Sequence, residues 1–291
     1  MLTLKEVSLS KGKRTYLDEV SFTAEAGRIT AIVGTRSAGR TELVRIIMGL
    51  IAADEGTIEL EDFELDFGDR QNFGYLPAER GGYPNMRVLD QIVYLARLHG
   101  ITLGAAERNA LTLLGHLELA DRGYAPLKNL SGAEIARVDI AATLAADPDV
   151  VVIDDAFAGL DAASLRLVTS LLRAHASSGV PVILATDDWE AAQTFADDVI
   201  ILNQGKVITS GSVEKLLGDP HYRVATTDTE AAASALKSRT GISDVKTVGR
   251  ESVNFRAEDA KSAAAAVAEL KNVKNFESVR PTLAEQYKEA L

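Results

Sequence analysis

The chain has 291 residues, carries a formal net charge of -11 at pH 7, is 46% hydrophobic and contains no cysteine. That length allows one large domain and a small second one. The missing cysteines exclude disulfides and thiolate metal sites, and the acidic balance excludes a nucleic-acid partner held through its phosphates.

No apolar run is long enough to span a bilayer and no signal peptide opens the chain, so a soluble, cytoplasmic protein is expected. Leu2–Val7 and Leu17–Phe22 predict two strands around the basic loop Lys11-Gly12-Lys13-Arg14, and Gly27 turns the chain toward a third. Ile29–Val33 is a short β-branched run, the pattern of a buried strand. Gly34-Thr35-Arg36-Ser37-Ala38-Gly39-Arg40-Thr41 follows, and helical periodicity then continues to Gly49. This is G-x-x-x-x-G-K-T with Arg40 in the Lys place. Such a loop curls its N–H groups around phosphates and sets them at a helix N-terminus. The Thr41 hydroxyl is the expected Mg2+ ligand.

Asp54-Glu55-Gly56 predicts a turn, Thr57–Leu60 a strand, and Phe73–Pro77 a strand ending at proline. Glu79–Pro84 reads as an exposed loop. From Val88 to about Leu119 the pattern is helical, with Leu89, Ile92, Val93, Leu95, Ala96 and Leu98 on and around one face. A further helix opens at Asn129-Leu130-Ser131-Gly132-Ala133-Glu134 and runs to about Asp147. Ser131 and Glu134 match the capping-box spacing at its start. Val150–Asp154 is a buried strand ending in two acids, Asp154 and Asp155, and Pro181–Asp188 repeats that form. In a doubly wound sheet such strand ends are where ligands bind. The four histidines (His99, His116, His175, His221) have no ligand spacing.

Beyond about Asp219 the elements read β-α-β-β-α-β plus a last helix over Pro281–Leu291, the order of a ferredoxin-like unit. Nothing in it has catalytic spacing, and it reads as a dimerising or regulatory addition. The expected fold is therefore an α/β phosphate-loop cassette over residues 1–218, with a helical part at about 88–147 and an α+β unit over 219–291.

The order of these pieces resembles the nucleotide-binding subunit of ABC transporters over residues 2 to about 215. Gly34–Thr41 looks like Walker A, Leu130–Glu134 like the LSGGQ signature, Val150–Asp154 like Walker B, and Ala158-Gly159-Leu160-Asp161 like the D-loop. Tyr75-Leu76-Pro77 and the loop after it resemble the drug- and sodium-export branch. The resemblance implies ATP and Mg2+ as ligands. Gly34, Ser37, Ala38, Gly39, Arg40 and Thr41 would cradle phosphates, Thr41 and Asp154 would hold Mg2+, and Asp155 would be the catalytic acid–base. Ser131 and Gly132 would contact the ATP of a second cassette facing this one head to tail. An integral membrane permease subunit is the implied partner, with this chain at the inner face of the cell membrane.

Five positions depart from the family pattern. Asp155 stands where Glu is usual and is one methylene shorter, and a base must be within about 3 Å of its proton. Arg40 replaces Lys, a planar fork in place of a compact charge; it is either a weakened but working substitute or an impairment. Ala78 replaces a Gln and can neither bind Mg2+ nor orient water. Asp187 replaces a His that senses the terminal phosphate, and reads either as a site acid or as a solvated residue ahead of a helix capped by Asp188. The adenine-stacking aromatic would fall near Lys11, with Tyr16 the nearest substitute. Arg40, Ala78 and Asp187 belong to this chain's own site, whereas Ser131 and Gly132 serve the opposite one, a one-sided pattern that fits a heterodimer.

Overall fold

The computed structural model describes residues 1–66, 68–79, 81–155, 157–218 and 221–290. Arg80 of the predicted exposed loop, Asp219 at the predicted boundary and Leu291 of the predicted last helix lie outside the described residues. The chain divides into two compact units, Met1–Val213 and Glu214–Glu289.

In the first unit β1 (Leu2–Lys11) and β2 (Arg14–Ala24) form an antiparallel hairpin. β3 (Ile29–Gly34) leads through the glycine-framed loop into α1 (Arg40–Ile47). β4 (Glu55–Leu60) and β5 (Phe63–Glu64) return to the hairpin, giving a sheet ordered β2-β1-β4-β5. β6 (Phe73–Leu76), α2 (Val88–Leu98), α3 (Leu103–His116) and α4 (Gly132–Leu144) follow. Then come β7 (Val150–Asp154), α5 (Ala162–Ala176), β8 (Val182–Thr186), α6 (Trp189–Phe195), β9 (Asp198–Asn203) and β10 (Lys206–Ser212), and α7 (Val213–Leu217) begins at the last residue of this unit and otherwise belongs to the second.

The second sheet is ordered β10-β9-β3-β8-β7-β6, parallel except for β10. β3, β7 and β8 are buried along their whole length, as expected of parallel strands covered on both faces. One continuous core joins the hairpin sheet, α1 and the six-stranded sheet. α1 contributes Leu43, Val44, Ile46 and Ile47 to it, each worth about 1.5–3 kcal/mol on burial.

Three sequence readings need correction. Glu55 and Gly56 do not turn the chain but open β4. Gly56 has φ +88, and a Cβ there would stand 2.5 Å from the carbonyls of Lys5 and Glu6; the Asp-Glu-Gly cue marks a register break between Lys5 and Ser8 in the β1–β4 pairing. The helical stretch from Val88 is two helices, broken where Gly100 takes φ +86 and the Thr102 hydroxyl caps α3. The helix from Ser131 stops at Leu144, short of Asp147, whose backbone is left-handed at φ +55. The strands β9 and β10 are absent from the sequence reading, although Val199–Leu202 is an apolar run followed by the turn glycine Gly205.

The second unit runs β11 (His221–Thr226), α8 (Thr229–Lys237), β12 (Ile242–Val248), β13 (Ser252–Ala257), α9 (Ala260–Ala268), β14 (Val273–Val279) and α10 (Leu283–Ala290). Its strands form one antiparallel sheet ordered β12-β13-β11-β14. Asp228 and Asp259 cap α8 and α9. Tyr222 packs at 5.7 Å from Phe255 and 5.8 Å from Phe276 in its core, with Val224, Leu236 and Val253 alongside.

Candidate functional site

Because β3 is wholly buried, only its C-terminal end can present chemistry. Gly34 sits at that end, where a Cβ would collide with the Leu202 carbonyl of β9 and stand 2.7 Å from the Ala38 methyl. Gly39 closes the loop at φ +99; a Cβ there would lie 2.5 Å from the Tyr16 carbonyl and 2.9 Å from the Leu17 side chain. Both glycines are therefore demanded by the neighbours β2 and β9. Ala38, between them, is buried. Its N–H donates to the Thr35 carbonyl at 3.0 Å and its carbonyl accepts from Gly205 N–H at 2.9 Å.

The N–H groups of Arg36, Ser37 and Gly39 make no hydrogen bond among the described residues. Gly39 stands at the N-cap of α1 and offers no capping side chain. Uncommitted donors at a helix N-terminus are the elements of an anion cradle. Ser37 is exposed beside them, as a ligand contact requires.

Sheet register decides what faces this cradle. Val33 pairs with Thr186, and Ala185 pairs with Asp154, so the strand ends carrying Asp154 and Asp187 lie along the edge where the loop departs. Asp154 is only 6% exposed. Burial pushes its carboxyl above the usual range, while a hydrogen bond from the Thr41 hydroxyl and the charge of Arg40 pull it back down. A hydroxyl and a carboxylate held together are hard oxygen donors that leave other positions of a small cation to water or phosphate. This donor set fits Mg2+. Tyr75, on β6, borders the same place: burial first and the Asp154 charge second push its phenol up.

Asp155 follows with a left-handed backbone, φ +56, a conformation Asp tolerates better than most residues. Its N–H donates to the Ala185 carbonyl at 2.9 Å, and the residue is half-buried. Ala78 is exposed beyond β6, with a methyl side chain only.

Arg40 and Asp187, two departures that the sequence presents separately, meet. The Arg40 Nη2 lies 3.7 Å from Asp187 Oδ2, with the Arg40 side chain 14% and the Asp187 side chain 50% exposed. Burial draws the guanidinium below its ordinary value against the pull of Asp187, Asp154 and Asp155, and it stays a cation at neutral pH. Asp188 serves the helix instead, since its Oδ1 accepts Ala191 N–H at 2.9 Å and caps α6.

Tyr16 supports the loop through its backbone, against Gly39 and Gly205. Its ring carries the Arg14 guanidinium at 4.5 Å and the Lys11 ammonium at 5.7 Å from the centroid, both within the range of cation–π attraction.

Ser131 and Gly132 lie at the start of α4, and both are exposed. The capping box is complete. Glu134 N–H donates to Ser131 Oγ at 3.3 Å, while Ser131 N–H and Oγ–H each donate to Glu134 Oε2 at 2.8 Å. Those bonds, with Arg122 nearby, hold the Glu134 carboxyl below the usual range. A Cβ on Gly132 would meet nothing within 4 Å. Nothing in the described fold calls for glycine there, in contrast to Gly34 and Gly39.

A family model described as ABC transporter matches residues 17–158. An uncharacterized ABC transporter ATP-binding protein of Methanocaldococcus jannaschii is 29% identical over 215 residues, 73% of this chain and 79% of its own length. The linearmycin resistance ATP-binding protein LnrL of Bacillus subtilis is 24% identical over 253 residues, 84% of this chain and 81% of its own. The solved ATP-binding subunit of an ABC transporter superposes with a TM-score of 0.67 at 24% identity, covering 74% of this chain and 91% of that one. A cassette in a post-hydrolysis state bound to ADP and Pi gives 0.65 at 22%, covering 74% and 99%. No helix among the described residues is long and apolar enough to cross a membrane. On fold and on sequence together, the chain is similar to the ATP-binding cassettes of ABC transporters.

Proposed function

We propose that this chain is the ATP-binding subunit of an ABC exporter, that its own nucleotide site turns over slowly, and that its α4 start completes the site of a better-equipped partner cassette. The contact that carries this reading is Arg40 with Asp187: the cation of the phosphate loop is engaged by an acid of the same chain. The loop amides, Thr41 and Asp154 keep everything that binding needs. Gly34, Ser37, Ala38 and Gly39 surround the phosphates, and Thr41 and Asp154 hold Mg2+, which neutralises phosphate charge. Asp155 is the base that orients water. Its side chain is one methylene shorter than Glu, and a base must come within about 3 Å of its proton. With Ala78 supplying no polar atom, positioning of that water is poor. Tyr16 is the aromatic nearest the loop for the adenine ring.

Ser131 and Gly132 have no such damage. The cap leaves the α4 N-terminus exposed, and the open space over Gly132 suits close approach of an anion held by another subunit. Dimeric ABC cassettes exist among the structural relatives. The export direction draws support from a Nod factor export ATP-binding protein of Ralstonia nicotianae and a lipopolysaccharide export system ATP-binding protein of Escherichia coli. We read the second unit, with its strand order β12-β13-β11-β14, as ferredoxin-like and as a dimerising or regulatory accessory.

The permease subunit docks beside α2. Tyr94, Leu98 and Leu103 are exposed there, around a cavity of about 460 Å3 lined also by Leu89 and Val93. Tyr83 and Tyr94 meet edge to face at 5.8 Å. A groove with an apolar wall edged by Asp90, Arg97 and Glu107 accepts an amphipathic helix, and it puts the chain on the inner face of the membrane. The test is ATP turnover by the purified chain, alone and with a partner cassette, in wild-type and Arg40→Lys forms. Slow turnover alone and stimulation with the partner are expected; fast turnover by the wild-type chain alone overturns the heterodimer. A second reading, a regulatory cassette that never hydrolyses, is favoured by Ala78 and predicts no gain from Arg40→Lys.

A further inference from the structure

We propose that Asp187 is a specificity-determining residue that discounts the terminal phosphate, so that this chain's own site holds a nucleoside diphosphate about as tightly as a triphosphate. The inference rests on the nucleotide site described above.

Three carboxylates, Asp154, Asp155 and Asp187, act on the single guanidinium of Arg40. Asp154 is committed to Thr41 and to the metal position. Asp187 is the one in ion-pair contact, at 3.7 Å. A diphosphate resting on the uncommitted N–H groups of Arg36, Ser37 and Gly39 is served by the loop and the α1 N-terminus. A further phosphoryl group extends toward the strand ends, where the nearest cation is Arg40. It must then share that guanidinium with Asp187 and sit near a like charge. The triphosphate therefore loses the advantage that a cation usually confers on its last phosphate. Asp187 is half-exposed, so solvent and salt screen the repulsion and limit it to a moderate factor.

Asp188 supplies the control. It carries the same charge one residue on, but its carboxylate caps α6 through Ala191 N–H. Asn at that position keeps the cap.

The experiment measures Mg-ATP and Mg-ADP binding to the full chain by calorimetry. Wild type is expected to bind the two within about threefold of each other. Asp187→Asn and Asp187→Ser are expected to tighten ATP about tenfold and ADP less than about threefold. Asp187→Glu and Asp188→Asn should keep the wild-type ratio. Both nucleotides binding with a ratio that neither neutral substitution moves overturns the role of Asp187, as does a wild-type preference for ATP of tenfold or more. Binding of neither nucleotide to any form overturns the nucleotide site itself.

Discussion

The Thr41 hydroxyl, in the first turn of α1, draws the Asp154 carboxyl at the end of β7 down against the burial that pushes it up. The acid is nearly inaccessible, and burial without a cation favours its protonated form. Removing the charge should therefore stabilise the metal-free protein. Asp154→Asn is expected to raise the melting temperature of chelator-treated protein by about 2–4 °C, roughly 1 kcal/mol for a domain of this size. The same substitution should abolish the further rise that Mg-nucleotide gives the wild type. Differential scanning calorimetry with and without Mg-ATP reads both.

The pH dependence of this group has a definite sign. Its folded pKa lies above its unfolded one, so the folded chain holds the proton more tightly. The stabilisation from that proton is complete below the unfolded pKa and is lost as pH rises through the folded one. Glu134 runs the other way: its folded pKa is lowered by its bonds to Ser131, and its contribution, present above the unfolded pKa, is lost as pH falls through the folded one. In denaturant melts across the acid range, the difference between wild type and Asp154→Asn should therefore widen with rising pH. The difference between wild type and Glu134→Gln should shrink as pH falls.

Ser131 has two duties that substitution can separate. Ser131→Ala removes the cap and should cost about 1 kcal/mol in chemical unfolding. Ser131→Asn keeps a capping oxygen without setting a second carboxylate against Glu134, whose Oε2 lies 2.8 Å from Ser131 Oγ, and should stay within about 0.5 kcal/mol of wild type, while removing the hydroxyl offered to the partner's phosphate. Both should lower turnover by a mixed dimer. A Ser131→Asn chain that supports full turnover in the mixed dimer would remove Ser131 from the partner's site.

Gly39 and Gly132 answer different demands, and alanine distinguishes them. Gly39→Ala forces a Cβ onto the Tyr16 carbonyl at positive φ and should cost about 2–4 kcal/mol. Gly132→Ala enters open space and should change stability by less than about 0.5 kcal/mol. Its effect is expected in mixed-dimer turnover, which should fall. Unfolding curves and turnover measured on the same preparations check the contrast.

Arg40 and Asp187 should behave as one unit. Arg40→Lys leaves a lysine facing an acid, and Asp187→His leaves a guanidinium without its partner. Each alone is expected to raise turnover modestly, and the double substitution to exceed the product of the two. A double-mutant cycle on kcat measures that excess; additivity would separate the two residues.

The sequence alone determined the local parts, because their causes are local. The β-branched run Ile29–Val33, the glycines at Gly34 and Gly39, the Ser131–Glu134 cap and the apolar run before Asp154 are each fixed by short-range periodicity, backbone freedom or helix-end hydrogen bonding. Short-range cues also misled: the glycine at Gly56 marked a crossing of two backbones where a turn was expected, since a close approach and a reversal both call for glycine. What touches what was decided by the sheet. Placing β8 between β3 and β7 brings Asp154 to Thr41 and Asp187 to Arg40, contacts between residues far apart in the chain. Side chains read one at a time made Asp187 an acid facing an anion. Only strand order and register, set by burial on both faces of a parallel sheet, gave it a cation to face.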